Sequence, residues 1–202
     1  MSHSAEFFYD LSSPWTRVAF ANFRKAIAGQ DVAVTWRPFL VGGVFNAVNE
    51  SVYESRKNPD NPKFRLSFTW LKEWARLAGV AMNFPSAHHP VKSVNAMRFC
   101  CALEADQAAL VCFSEAAFEA YFTDERNIDD LDVLESIAAA CGLDGPALRG
   151  AAASDDCKQR LRANTQEAID RGAFGSPTIF IDGTYMYFGN DQMPLVMQRL
   201  GL

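Results

Sequence analysis

Glu6-Phe7-Phe8-Tyr9-Asp10-Leu11-Ser12-Ser13-Pro14-Trp15-Thr16 is the stretch that decides how this chain folds. Glu6 to Asp10 is short and aromatic and runs into the turn cluster Ser12-Ser13-Pro14, which predicts a buried strand. Pro14 suits the first turn of a helix, where its missing N–H costs nothing, and the serine before it suits the cap. From there Trp15, Ala19, Phe23 and Ile27 recur at every fourth position until Gly29, predicting one helix with a single apolar stripe. Asp31 to Phe39 then alternates Val32, Val34 and Trp36 and predicts a second strand. Strand, helix and strand in so short a span make a βαβ unit, hence a parallel strand pair.

Outward from this unit the pattern changes. Val41 to Pro62, with Gly42-Gly43, Asn58-Pro59 and Asn61-Pro62, reads as a polar loop. Helical stripes follow: Leu71, Trp74, Ala75 and Ala78 up to Gly79; the dense run Val94 to Phe113; Phe118, Tyr121 and Phe122; and Leu131, Leu134, Ala138 and Cys141 up to Gly142. Asp155 to Arg171 predicts a further helix ended by Gly172. After Gly175-Ser176-Pro177-Thr178 come strands at Ile179 to Ile181 and Tyr185 to Phe188, joined by Asp182-Gly183, a strong hairpin signal. Asn190 and Asp191 open a last helix. The order is βαβ, helices, then αββα. The fold class expected is α/β, a thioredoxin-like domain interrupted by an all-helical insertion domain. Residues 1–45 and 155–202 form the two thioredoxin-like halves and 46–154 the insertion.

The 202 residues are 49% hydrophobic and 21% charged with a net charge of −5, the profile of a globular chain with a real core. Mild acidity without a basic block argues against nucleic acid as a partner. No apolar run reaches the roughly 20 residues of a membrane span, and the first residues lack a signal-peptide pattern, so a cytoplasmic location is expected. Cys100, Cys101, Cys112, Cys141 and Cys157 are odd in number and contain no C-x-x-C pair, so neither a redox dithiol nor a zinc knuckle is indicated; no metal is expected. His88-His89 before Pro90 reads as a solvated loop.

In a fold of this kind the start of the first helix favours chemistry, because its unpaired N–H groups and dipole stabilise an anion such as a thiolate. Here Ser13-Pro14-Trp15-Thr16 carries hydroxyls in both places of a C-P-x-C frame. A hydroxyl cannot exchange disulfides. It can donate a hydrogen bond to a thiolate brought in by a cofactor. A charge-assisted bond of roughly 1.5–3 kcal/mol lowers a bound thiol's pKa by about 1–2 units. Glutathione is the obvious owner of such a thiol. A proline directly before a strand in this fold is expected to be cis, setting the Ser176 backbone beside the helix start, where it can pair with a peptide-like ligand.

Phe8-Tyr9-Asp10-Leu11-Ser12-Ser13-Pro14-Trp15-Thr16, Trp36-Arg37-Pro38-Phe39-Leu40-Val41-Gly42-Gly43-Val44-Phe45, Ser93-Val94-Asn95-Ala96-Met97-Arg98-Phe99 and Phe188-Gly189-Asn190-Asp191-Gln192-Met193 resemble, in order, blocks of kappa-class glutathione transferases and 2-hydroxychromene-2-carboxylate isomerases. The second block looks more like the isomerase branch. The resemblance implies that Ser13 holds the glutathione sulfur, beside Pro14 and Trp15. It implies that Asn49 and Lys63 lie near the ligand, that Ser176, before Pro177, pairs with the cysteinyl part, and that Asn190 and Asp191 bind the γ-glutamyl end. Arg37 and Trp36 are candidate substrate contacts, with Arg37 or Lys63 the basic residue for a substrate carboxylate, although an ion pair for Arg37 and a core position for Trp36 explain them as well.

The function expected is glutathione-dependent isomerisation of 2-hydroxychromene-2-carboxylate-type aromatic catabolites through a thiolate stabilised by Ser13. The alternatives are a kappa-like glutathione transferase or peroxidase, and a non-catalytic thioredoxin-like module that binds peptides. Partners are expected to be a small aromatic substrate and, by the same resemblance, a second copy of the chain in a homodimer.

Overall fold

The computed structural model describes residues 3–53 and 61–202. Strand β1 (His3–Tyr9), helix α1 (Pro14–Ile27) and strand β2 (Val32–Pro38) build the βαβ unit, with β1 and β2 parallel and paired from His3↔Val32 to Tyr9↔Pro38. After a helical stretch come strand β3 (Thr178–Ile181) and strand β4 (Tyr185–Phe188), giving a sheet in the order β2-β1-β3-β4. The β1–β3 and β3–β4 pairs are antiparallel.

Strand β1 is central, and both of its faces are covered. Phe7 and Tyr9 point into a large core with α1, while Phe8 between them joins Phe39, Val44, Ala168, Ala173 and Phe180 on the opposite face. Trp36 belongs to the first of these layers, its ring centroid 4.4 Å from that of Phe20 and 4.9 Å from that of Phe7.

The stretch after β2 differs from the expected loop. Val41–Val48 is helix α2. Two glycines in its first turn hide it from propensity. Tertiary packing overrides that weakness: Val41 and Val44 are buried, the Leu40 N–H donates to Thr165 Oγ1 at 3.0 Å, and a Cβ at Gly43 would stand 3.0 Å from Thr165 Cγ2. Thr165 lies on helix α8 (Asp155–Asp170), so a small residue at 43 lets the two helices approach closely. Residues 54–60 of that presumed loop, with Arg56 and Asn58-Pro59, lie outside the described residues.

The helical segment comprises α3 (Pro62–Ala78), α4 (Val94–Ala102), α5 (Gln107–Phe122), α6 (Leu131–Ala140) and α7 (Gly145–Ala153). The apolar run Val94 to Phe113 is divided where Asp106 caps α5, its Oδ1 accepting from the Ala109 N–H at 3.0 Å. Asp144 caps α7 in the same way through Ala147. That helix has no broad apolar stripe and was not singled out in the sequence. The chain closes with a 3₁₀ turn (Asn190–Gln192) and α9 (Met193–Leu200). This is the α/β thioredoxin-like arrangement with helices inserted between its halves. No helix among the described residues is long and apolar enough to cross a membrane.

Candidate functional site

Three segments converge at the carboxyl end of β1. Asp10 and Leu11 leave the sheet, Ser13 caps α1, and the Ser176–Pro177 peptide bond, which is cis, leads into β3. Ser13 Oγ accepts from the Thr16 N–H at 3.2 Å and donates to the Ser176 carbonyl at 3.2 Å. The Thr16 and Ser176 hydroxyls are 2.7 Å apart, and Ser176 Oγ accepts from the Asp10 N–H at 3.0 Å. The two hydroxyls of the Ser13-Pro14-Trp15-Thr16 frame therefore have different uses. Thr16 is fully buried and ties α1 to the cis-proline loop, whereas Ser13 opens onto a cavity. The Ser176 carbonyl is taken by Ser13; its N–H has no partner among the described residues and is the group left for a ligand.

Beneath this junction lies the carboxylate of Asp10, fully buried. Its Oδ1 accepts from the Ser12 N–H at 2.9 Å and the Ser12 hydroxyl at 2.8 Å. Its Oδ2 accepts from the Val41 N–H at 2.9 Å and the Ser93 hydroxyl at 3.0 Å. Burial pushes the acid's pKa up, and the four donors pull it back. Asp10 thus fixes the starts of α2 and α4 against the end of β1.

The cavity in front of Ser13 has a volume of about 330 Å³. Trp15, Phe45, Phe64, Phe68, Phe84 and Phe188 make its walls largely aromatic, and Ser12, Ser13, Asn49 and Ser176 supply its polar groups. The size and the pairing of one hydroxyl with one free backbone N–H fit a thiol carried on a small peptide. Of the residues expected at the site, Ser13, Pro14, Trp15, Asn49 and Ser176 line this one cavity, with Pro177 next in the chain. Asn49 ends α2, its Nδ2 donating to the Phe174 carbonyl at 2.9 Å. Lys63 is exposed in the first turn of α3, beside the lining residue Phe64. Asn190 and Asp191 sit at the 3₁₀ turn. Asn190 is buried, its Oδ1 accepting from Asn22 Nδ2 at 2.8 Å while its own Nδ2 has no partner among the described residues, and Asp191 is exposed. Neither lines the cavity.

Arg37 and Trp36 do not come to the cavity. Trp36 fills the aromatic core. Arg37 binds Glu6 at 3.1 Å and Glu167 at 2.5 Å with its guanidinium 4.9 Å from the Phe8 ring centroid, a structural network shared with Arg171. The side chains follow the period of β2, which alternates one face with the other.

His89 is the residue that sequence reasoning missed. His88 is exposed, as a loop residue should be, but His89 lines the cavity. Its ring sits 4.6 Å from that of Phe84, and its Nδ1 is 3.4 Å from the Tyr121 hydroxyl. The aromatic neighbours that hold it are distant in sequence, so only its place between Phe84-Pro85 and Pro90 hinted at a fixed position. The cysteines take no part: Cys100, Cys101 and Cys157 are buried, and burial pushes the Cys100 thiol up to about 12.

Comparison with known proteins agrees with this fold. Residues 5–201 match the family model described as a DSBA-like thioredoxin domain. The 2-hydroxychromene-2-carboxylate isomerase of Pseudomonas putida is 28% identical over 204 residues, covering 97% of this chain and 93% of that protein. The glutathione S-transferase kappa 1 of Rattus norvegicus is 27% identical over 207 residues, covering 97% and 90%. A solved structure of a 2-hydroxychromene-2-carboxylate isomerase superposes with a TM-score of 0.76 at 22% identity, over 98% of this chain and 94% of that one.

Proposed function

The chain belongs to the DSBA-like thioredoxin-domain family, and from that premise we propose that it is a glutathione-dependent isomerase of 2-hydroxychromene-2-carboxylate-type aromatic compounds. The observation that carries this reading is Ser13: a hydroxyl at the helix start, facing an aromatic cavity, in a frame without either cysteine. Full-length similarity to proteins named as such isomerases supports it.

Ser13 and the Ser176 N–H would hold glutathione, which when bound would supply a thiolate nucleophile for reversible addition to the conjugated acceptor. The protein's part is to hold and tune. Ser13 turns its single proton from the Ser176 carbonyl to the sulfur. The bond it gives up is long, at 3.2 Å, so the exchange loses little and gains a charge-assisted bond. The Thr16 N–H keeps Ser13 Oγ in place throughout. The N–H of Ser176 is available to the peptide backbone of the ligand. Trp15 and the phenylalanines of α3 offer flat apolar walls to a fused aromatic ring and keep water from the departing sulfur.

The test is incubation of the purified protein with glutathione and 2-hydroxychromene-2-carboxylate. Appearance of the isomeric trans-2′-hydroxybenzylidenepyruvate is the expected result, with Ser13→Ala roughly 10- to 150-fold slower, the worth of one charge-assisted hydrogen bond. No conversion, or conversion indifferent to Ser13, contradicts the proposal. A kappa-like transferase is the second reading, favoured by the similarity to the rat protein. It requires a product heavier by the mass of glutathione.

A further inference from the structure

A second cavity, of about 340 Å³, adjoins the first. Ser12, Val41, Phe45 and His89 line both, so the two cavities meet at these residues. The two differ in chemistry. The first is largely aromatic and has no aspartate, glutamate, lysine or arginine among its described lining residues. The second is bounded by the starts of α2 and α4 and by Lys92. Among the described residues lining either cavity, Lys92 is the one lysine or arginine, and none is an aspartate or glutamate. Such a balance is out of keeping with a chain whose net charge is −5.

Resting on the reading above, we infer that this second cavity is the subsite for the acceptor's carboxylate, and that Lys92 is the residue that selects acidic acceptors over neutral ones. The geometry points to an anion held in the cavity past Ser12, with the ring among the phenylalanines of the first cavity and the sulfur at Ser13. Lys92 makes no ion pair among the described residues and is exposed. The start of α4 adds to it. The Ser93 hydroxyl donates inward to Asp10, and α4 is left without a side-chain cap where Ser93 and Val94 line the cavity. Asp10 opposes an anion from below, but its oxygens are occupied by four donors and it is sealed from the cavity by the Ser12 and Val41 backbone. Lys92 is the charged side chain that lines this cavity, whereas Asp10 is buried and saturated by its donors.

The experiment titrates chromone-2-carboxylate, an unreactive ring analogue, and the neutral chromone-2-carboxamide into the protein by calorimetry, with and without glutathione. Lys92 is exposed, so Lys92→Met and Lys92→Glu are expected to fold normally. The wild type should bind the carboxylate about 10-fold or more tightly than the amide. Lys92→Met should erase that preference and Lys92→Glu reverse it, with glutathione and amide affinities unchanged. Equal binding of the two analogues by the wild type, failure to bind either, or a preference that survives Lys92→Met overturns the inference. Failure of glutathione alone to bind, with the carboxylate preference intact, instead counts against the proposed cofactor.

Discussion

Ser13 has one proton to give, and the Ser176 carbonyl, 3.2 Å away, holds it until a better acceptor arrives. Asp10, behind it, is the residue on which that arrangement depends. Asp10→Asn offers one oxygen to donors that now share two and turns an NH₂ toward the Val41 N–H and the Ser93 hydroxyl or toward Ser12. A loss of about 2–4 kcal/mol in urea unfolding is expected, as for breaking a buried charged network. The acid's pKa is raised by burial in the fold and ordinary in the unfolded chain. The folded state therefore binds this proton more tightly. The group's contribution favours the fold below the unfolded value and is lost as pH rises through the raised one. At this scale the sequence was informative where a residue's use is local. Ser13 was legible because capping and the helix dipole act within one turn. Trp36 and Arg37 were legible only as alternatives, because their face of β2 is settled by register. His89 was legible only as a loop residue flanked by prolines, since Phe84 and Tyr121 define its position.

The same division holds for elements. Helix α1 shows its stripe, its proline and its cap in sequence, and the Asp182-Gly183 hairpin is a local turn. Helix α2 does not, because what makes it a helix is Asp10, Thr165 and the apolar face beneath it. Helix α7 likewise depends on fit against α6. A Cβ added at Gly145 would stand 2.8 Å from the Glu135 carbonyl oxygen, a backbone atom that cannot swing away. Gly145→Ala is therefore expected to destabilise by about 1–3 kcal/mol despite alanine's better helix propensity of roughly 1 kcal/mol. Chemical denaturation checks the sign; a more stable variant would mean that α6 and α7 pack less closely than described.

At the scale of the whole molecule, the inserted helices are not a separate body. One continuous core runs from Phe7, Phe20 and Trp36 into Phe99, Phe113, Phe118 and Leu134. The Phe20 and Phe118 rings lie 5.4 Å apart, and the Trp36 N–H donates to Gln107 Oε1 at 2.6 Å across the junction. A single cooperative transition is expected on unfolding, with near- and far-ultraviolet circular dichroism coinciding. Two resolved transitions would show that the helical segment and the sheet fold apart. The order of elements disclosed this architecture early, because strand and helix periods are local signals. How the halves close on each other is long-range packing, and with it went the shape of the cavity.

The thiol pKa of glutathione bound to the protein, followed by the thiolate's ultraviolet absorbance across pH in the wild type and in Ser13→Ala, tests the central claim most directly. A wild-type value about 1–2 units below that of free glutathione, restored toward the free value in Ser13→Ala while the tripeptide still binds, is the expected result. Equal values in the two proteins, or a tripeptide that does not bind the wild type, would contradict it.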